Sequence, residues 1–205
     1  MIINEKLLTA YGAKLITLNK DEHLFSVDDS PDYYFQVERG YLKITSDKRG
    51  KNQFIHDFSI SGDPVGETFL FSDNLYSVNA VALNHSNIYV LSKKEFHELL
   101  KTYPKTLIKL LEYISNKVNY NFMLINKMAY SDPRGRILVV INHFKKLKLQ
   151  SQSTHYEVPY TRQQLASLTG LRVETVIRTV KIMEYENLVK IIDGKIFIKN
   201  NVNIL

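Results

Sequence analysis

The chain has 205 residues, 44% of them hydrophobic, enough for one large packed domain or two small ones. It contains no cysteine, which excludes disulfides, thiolate zinc sites, cysteine-ligated iron–sulfur clusters and thiol catalysis. The net charge of +6 is C-terminal: residues 1–130 carry 15 Lys and Arg against 15 Asp and Glu, and residues 131–205 carry 12 against 6.

A basic module joined to a neutral one suits a polyanion partner, although an excess of this size also serves solubility. No apolar run approaches membrane-spanning length, and "MIINEKLLTAYG" lacks the basic start and apolar stretch of a secretory signal. The expectation is a cytoplasmic protein with no membrane partner.

After a short amphipathic start, residues 14–91 hold brief β-rich runs between turn formers: "KLITL", "HLFSV", "YYFQVERGYLKITS", "NQFIHDFS", "SVNAVALN" and "NIYVLS". Short strands at this spacing predict a sandwich or barrel, here an N-terminal domain over residues 1–103. Gly40, Gly50, Gly62 and Gly66 fall between or just after these runs, where tight turns need positive φ.

"SKKEFHELLKTYP" then changes to helical composition, and a longer helix is predicted from Leu107 to about Ala129. Leu107, Leu111, Ile114, Val118, Asn121, Ile125 and Met128 follow one another in alternating steps of four and three, a seven-residue repeat with one polar member. Such a stripe either joins two copies as a parallel coiled coil, with Asn121 fixing register, or packs on its own barrel. The first reading makes residues 104–130 a dimerisation helix in a homodimer.

"SDPRGR" ends this helix, since Pro133 disfavours helical backbone at Asp132, and Ser131 to Arg136 form a hinge candidate. "RILVVINHFKKL" reads as a further helix, followed by the polar connector "KLQSQSTHYE". Residues 131–205 therefore form a second domain.

Its last segment carries agreeing signals. Thr161 and Gln164 make a capping box that opens the helix "RQQLASL". Ala166, Gly170 and Val176 have the small, turning and space-filling spacing of a helix-turn-helix. In the second helix, "VETVIRTVKIM", Val173, Val176, Val180 and Met183 fall on one side, whereas Glu174, Arg178 and Lys181 lie within roughly 60° of each other on the far side. "LVKIIDGKIFIKN" has two β-rich arms around Asp193 and Gly194, a hairpin that reads as a wing.

An isolated charged helix face is ordinarily just solvated, but in a helix-turn-helix that face enters the major groove of double-stranded DNA. Glu174 can accept from cytosine N4 and Arg178 can bond guanine bidentately, each good pair supplying roughly 1–3 kcal/mol of discrimination. Arg172 and Val173 are the neighbouring base-reading candidates. Thr161, Arg162, Gln163, Thr175, Lys181 and Lys195 are phosphate candidates, which position the protein and make binding salt-dependent. The competing reading is a ligand-binding dimeric module whose winged helix meets protein.

Barrel, long helix and winged helix-turn-helix in this order resemble the Crp-Fnr family of bacterial transcription regulators over nearly the whole chain. "PDYYFQVERGYLKI", the turn around Gly50, "SGDPVGETFLF" and "NAVALNHSNIYVLSKKEF" look like the family's jelly-roll, cyclic-nucleotide-binding-like barrel. "TRQQLASLTGLRVETVIRTVKIMEYENLV" resembles its reading head. The resemblance implies an α+β fold, a homodimer on a two-fold symmetric DNA site, a small-molecule effector in the barrel and, for an activator, RNA polymerase as a partner.

Family members commonly read DNA through an arginine, a glutamate one position later and an arginine four after that. Glu174 and Arg178 match; Val173 replaces the first arginine, and Arg172 stands where a Ser or Thr cap is usual, giving up a side-chain cap. Val173 either meets a thymine methyl or turns inward with Val176, the second being favoured. Members that bind cyclic AMP follow a Gly-Glu pair with an Arg-Ser or Arg-Thr. Gly66 and Glu67 match the first pair, but no arginine follows in the barrel, so a cyclic phosphate would lack its cationic fork. This argues against cyclic AMP and leaves Glu67 as a structural acid that caps local backbone donors.

Redox members use cysteines, which are absent; haem ligation through His23, His56, His85 or His97 is disfavoured, since isolated histidines on β-rich segments are more often surface or core residues. Phe69, Phe71 and Tyr76 are read first as core and second as the lining of an apolar effector pocket with Gly66, Glu67 and Ser77. No nucleophile-base pair, carboxylate dyad, metal cluster or phosphate loop is recognisable, and no cofactor is evident, so the chain is not expected to be an enzyme.

Overall fold

Alternating side chains along two adjacent strands, Tyr33–Arg39 and Ser86–Ser92, give the N-terminal unit two cores, one on each face of a single sheet. The computed structural model describes residues 1–48, 52–130, 132–147 and 155–199. In chain order the elements are α1 (Glu5–Ala10), β1 (Lys14–Leu18), β2 (His23–Phe25), β3 (Tyr33–Arg39), β4 (Tyr41–Lys48), β5 (Asn52–Ile60) and β6 (Pro64–Val65). A 3-10 turn (Glu67–Phe71), β7 (Asn79–Ala82), β8 (Ser86–Ser92), α2 (Lys93–Thr102) and α3 (Pro104–Tyr130) follow. The remainder is α4 (Pro133–Leu147), β9 (His155–Val158), α5 (Arg162–Thr169), α6 (Val173–Tyr185), β10 (Val189–Ile192) and β11 (Lys195–Lys199). Two compact units, Met1–Asn116 and Lys117–Leu205, meet within α3.

The first unit holds two four-stranded antiparallel sheets, in orders β1-β8-β3-β6 and β2-β7-β4-β5. They face each other as a sandwich; among the described residues they do not join into the closed barrel expected above. Phe35 and Val37 of β3 and Ile88 of β8 meet Phe25, Leu42, Ala80 and Ala82 of the other sheet between the layers. Tyr34, Tyr89 and Leu91 point to the opposite face, where Leu8, Phe96, Leu99 and Leu110 of the helices cover them. Gln36 ties the N-terminal segment to this face: its Nε2 donates to Ile3 O at 2.9 Å, and its Oε1 accepts from Ile3 N at 2.9 Å and Tyr34 Oη at 2.7 Å.

Gly40, Gly62 and Gly66 have the expected positive φ, and Gly50 lies outside the described residues. At Gly66, where φ is 69°, a Cβ would stand 2.9 Å from the rings of both Phe25 and Tyr76. Those rings stack with centroids 3.7 Å apart, and Phe69 meets Tyr76 edge-on at 5.1 Å.

The long helix starts at Pro104, one turn before the predicted Leu107, because Tyr103 caps the end of α2 and proline suits a first helical position. Its repeat is real but turned. Leu107 and Ile114 are partly buried against the unit's own outer core beside Leu110, as the self-packing reading required. The exposed apolar stripe is Ile108, Leu111, Ser115, Val118, Phe122, Ile125 and Ala129, again in steps of three and four, with Phe122 61% and Ile125 59% exposed. Asn121 is exposed at its edge, and the Met128 side chain lies outside the described residues.

Two elements differ in extent from the expectation: α4 starts at Pro133 rather than Arg136, and a strand forms within the expected connector. Asp132 caps α4, its Oδ1 accepting from Gly135 N at 2.8 Å, with Pro133 at the first helical position; Ser131 lies outside the described residues. The end of the polar connector forms β9, and its residues 148–154 lie outside the described residues.

Gly66→Ala forces a side chain into a left-handed conformation against two stacked rings. It should lower the stability of the N-terminal unit by about 1–3 kcal/mol, read as a lower urea midpoint by circular dichroism.

Candidate nucleic-acid interface

The second unit presents one helix face by fixing both ends of the turn before it. Thr161 Oγ1 accepts from Gln164 N at 3.1 Å while Gln164 Oε1 accepts from Thr161 N at 2.9 Å, completing the capping box of α5. Gly170 ends α5 with φ 65°, a left-handed cap whose N–H bonds Ala166 O, and Leu171 N donates to the same oxygen at 3.1 Å. The chain then enters α6 through Arg172, an N-cap with no side-chain cap bond, as expected for an arginine there.

α6 packs on α5, α4 and β10 through Val176, Thr179, Val180 and Met183, all buried. Val173, expected to turn inward, is half-buried on the border between this stripe and the outer face. The outer face carries Glu174, Ile177, Arg178, Lys181, Ile182 and Tyr185, which together line an open groove along the helix. The three predicted ionic residues are thus brought together. Ile177, Ile182 and Tyr185 were not among the predicted site residues; their helical phase, with Ile177 roughly 60° from Glu174, is the signal that places them on this face.

β10 and β11 form the predicted hairpin across Asp193 and Gly194, whose φ values of 48° and 75° fit a type I′ turn. β9 adds a third strand on the far side of β11. Glu184 Oε1 accepts from Ile191 N at 2.9 Å, tying this wing to α6. The Arg162 guanidinium donates to Gly194 O, tying the wing tip to the start of α5.

The phosphate candidates divide by what already holds them. Arg162 is on the wing, Thr161 serves its cap, and Lys195 Nζ lies 2.7 Å from Glu157 Oε1. Gln163, Arg172 and Lys181 are exposed, and Thr175 is half-buried. Arg134 pairs with Glu186 at 2.7 Å, a link across the unit that no local spacing announced.

The candidate effector residues are split. Glu67, 2% exposed, and Tyr76 are buried beside Gly66 and Phe25, with Phe69 half-buried against them. Burial, reinforced by Asp32, Asp29 and Glu67, pushes the Tyr76 phenol up. Phe71 leaves this group and packs on Phe96 and His97, 5.9 and 5.6 Å away between centroids, while Ser77 is exposed. Among the described residues no group of three or more His, Asp or Glu gathers to hold a metal; His23 and His56 face Ser26 and Ser46. No helix among the described residues is long and apolar enough to cross a membrane.

Two domain families match the chain: the cyclic nucleotide-binding domain over residues 15–103 and the Crp-like helix-turn-helix domain over residues 136–201. The cAMP-activated global transcriptional regulator CRP of Salmonella typhimurium is 25% identical over 158 residues, covering 76% of this chain and 75% of that one. Among solved structures, the c-di-GMP responsive global regulator CLP of Xanthomonas campestris superposes with a TM-score of 0.79 at 18% identity, covering 96% of this chain and 98% of its own. A CooA mutant of Carboxydothermus hydrogenoformans reaches 0.82 at 12% identity, covering 97% and 88%.

Thr161→Ala removes the hydroxyl that accepts from Gln164 N and leaves the capping box of α5 with only the backbone bond to Gln164 Oε1. It should destabilise the C-terminal unit by about 1 kcal/mol, seen as a lower denaturation midpoint with unchanged denaturant dependence.

Proposed function

The chain belongs to the Crp-Fnr family of transcription regulators, and we propose that it acts in the cytoplasm as a homodimer that reads an inverted-repeat DNA site through α6. The observation that carries this reading is the setting of α6: its buried stripe turns Glu174, Arg178 and Lys181 together to solvent, in a module with a twofold excess of basic over acidic residues.

Glu174 accepts from cytosine, Arg178 bonds guanine, and Arg172 and Val173 approach the neighbouring bases from the helix start. Lys181, Arg162, Gln163, Thr161, Thr175 and Lys195 meet phosphates. The Lys195–Glu157 pair is about half exposed and worth no more than about 1 kcal/mol, so phosphate displaces the carboxylate cheaply. The exposed stripe of α3, centred on Leu111, Val118, Phe122 and Ile125, pairs with its copy and sets half-sites about one helical turn apart.

An effector other than cyclic AMP acts through the sandwich. Stacked rings of Phe25 and Tyr76 occupy the space beside Gly66, and no arginine follows Glu67 in that unit to hold a cyclic phosphate. Control by an effector requires unequal affinity for two states of the dimer.

Selection from a random DNA pool, with the purified chain and no added ligand, should return an inverted repeat. Binding without any motif that vanishes with added salt would mean either an obligatory effector or a winged helix that only holds phosphates. Arg178→Ala should relax preference at one base pair per half-site, whereas Lys195→Ala should weaken all sequences alike and lower the salt slope by about 1 per subunit. Phe122→Glu with Ile125→Glu should yield folded monomers in sedimentation and abolish the preference for two half-sites over one.

A further inference from the structure

Ile177 projects from the same face as Glu174, Arg178 and Lys181 and is 42% exposed. It stands one helical turn from Glu174 and from Lys181 and beside Arg178 in sequence, so it cannot avoid whatever those three side chains meet. Isoleucine is stiff at χ1 in a helix, so its branched end does not fold away as a lysine stem would. In the major groove the base edges are donors and acceptors except at one group, the C5-methyl of thymine.

We propose that Ile177 packs on the C5-methyl of a thymine in each half-site and so makes that methyl group a determinant of operator choice. This rests on the reading of α6 as the DNA-contacting helix. The position along the helix favours Ile177 over its apolar neighbours, because residues near the start of a recognition helix reach base edges. Ile182 and the 89%-exposed Tyr185 lie toward the other end, near the backbone rim. A protein partner fits the groove less well: charged side chains are depleted at the centre of protein interfaces, and here three of them interleave with the apolar ones. Thymine beside bases read by Glu174 and Arg178 satisfies both kinds of side chain at once.

The test uses the full chain and the operator recovered from the random pool. Each thymine is replaced in turn by deoxyuridine, which removes the methyl group and keeps every base-pairing and groove hydrogen bond. Loss of one buried methyl should weaken binding about three- to fivefold per half-site at a single position, and about tenfold or more when both half-sites are changed. Ile177→Ala should erase the difference between thymine and deoxyuridine at that position, keep the preferences attributed to Glu174 and Arg178, and leave the circular dichroism spectrum and unfolding midpoint nearly unchanged. Ile177→Val should retain part of the difference. Selective binding that ignores deoxyuridine at every position would overturn the role of Ile177 while leaving the reading of α6 intact. A deoxyuridine penalty that persists in Ile177→Ala would do the same and assign the methyl contact to another residue.

Discussion

The rotational setting of α6 is the constraint on which the reading face depends. Val176, Val180 and Met183 are buried to within 1% of completely, and withdrawing each from water stabilises that setting by about 1.5–3 kcal/mol. Turning the helix by a single residue would bring Ile177 or Arg178 toward the core and expose part of this stripe. The left-handed backbone at Gly170 makes the setting reachable, because it reverses the chain immediately after α5 and delivers α6 packed on α5, with Ala166 and Val176 both buried. Packing and turn geometry thus decide which charges face outward; the charges themselves contribute little to the fold.

Polar contacts around this frame have two strengths. The bonds from Glu184 to Ile191 N and from Arg162 to Gly194 O join side chains to backbone, and they hold the wing against α6 and α5. The pairs Lys195–Glu157 and Arg134–Glu186 are at least one-third exposed on both sides and stabilise little. A surface prepared for a polyanion benefits from this arrangement: its frame is held by bonds that DNA does not compete for, and its cations are loosely engaged. Arg162 is the exception, since any phosphate contact it makes must come from donors left over after Gly194 O.

Period and punctuation made most of the architecture legible. Alternation in "YYFQVERGYLKITS" gave two strands and the turn at Gly40, and Thr161, Gly170 and Asp193-Gly194 marked the ends of helices and hairpin through residue types that tolerate few other roles. What stayed hidden depends on partners distant in sequence. The phase of α3 is the clearest case: Leu107 and Ile108 are both apolar, and only the outer core around Tyr34, Phe96 and Leu99 decides that Leu107 turns in with Leu110. β9 was hidden for a related reason, since its four residues follow a polar connector and become a strand by pairing with β11, which buries Tyr156 and Val158. Phe69, Phe71 and Tyr76 are close in sequence yet enter different clusters, because the 3-10 turn swings Phe71 toward Phe96.

The corrected phase of α3 alters what the seam would specify. A buried asparagine disciplines register because its amide must find a partner, but Asn121 lies at the edge of the exposed stripe and can remain solvated. The polar member of the stripe is instead Ser115, smaller and able to satisfy its hydroxyl by bonding back to its own helix. Phe122, which replaces the asparagine in the stripe, is bulky enough to require a matching hole in the facing helix. Register in the proposed dimer therefore rests on shape, through Phe122 and the gap left by Ser115. In that proposed dimer a register slip would change the separation of the two α6 helices, so the proposed half-site spacing would depend on how tightly that one aromatic side chain is seated.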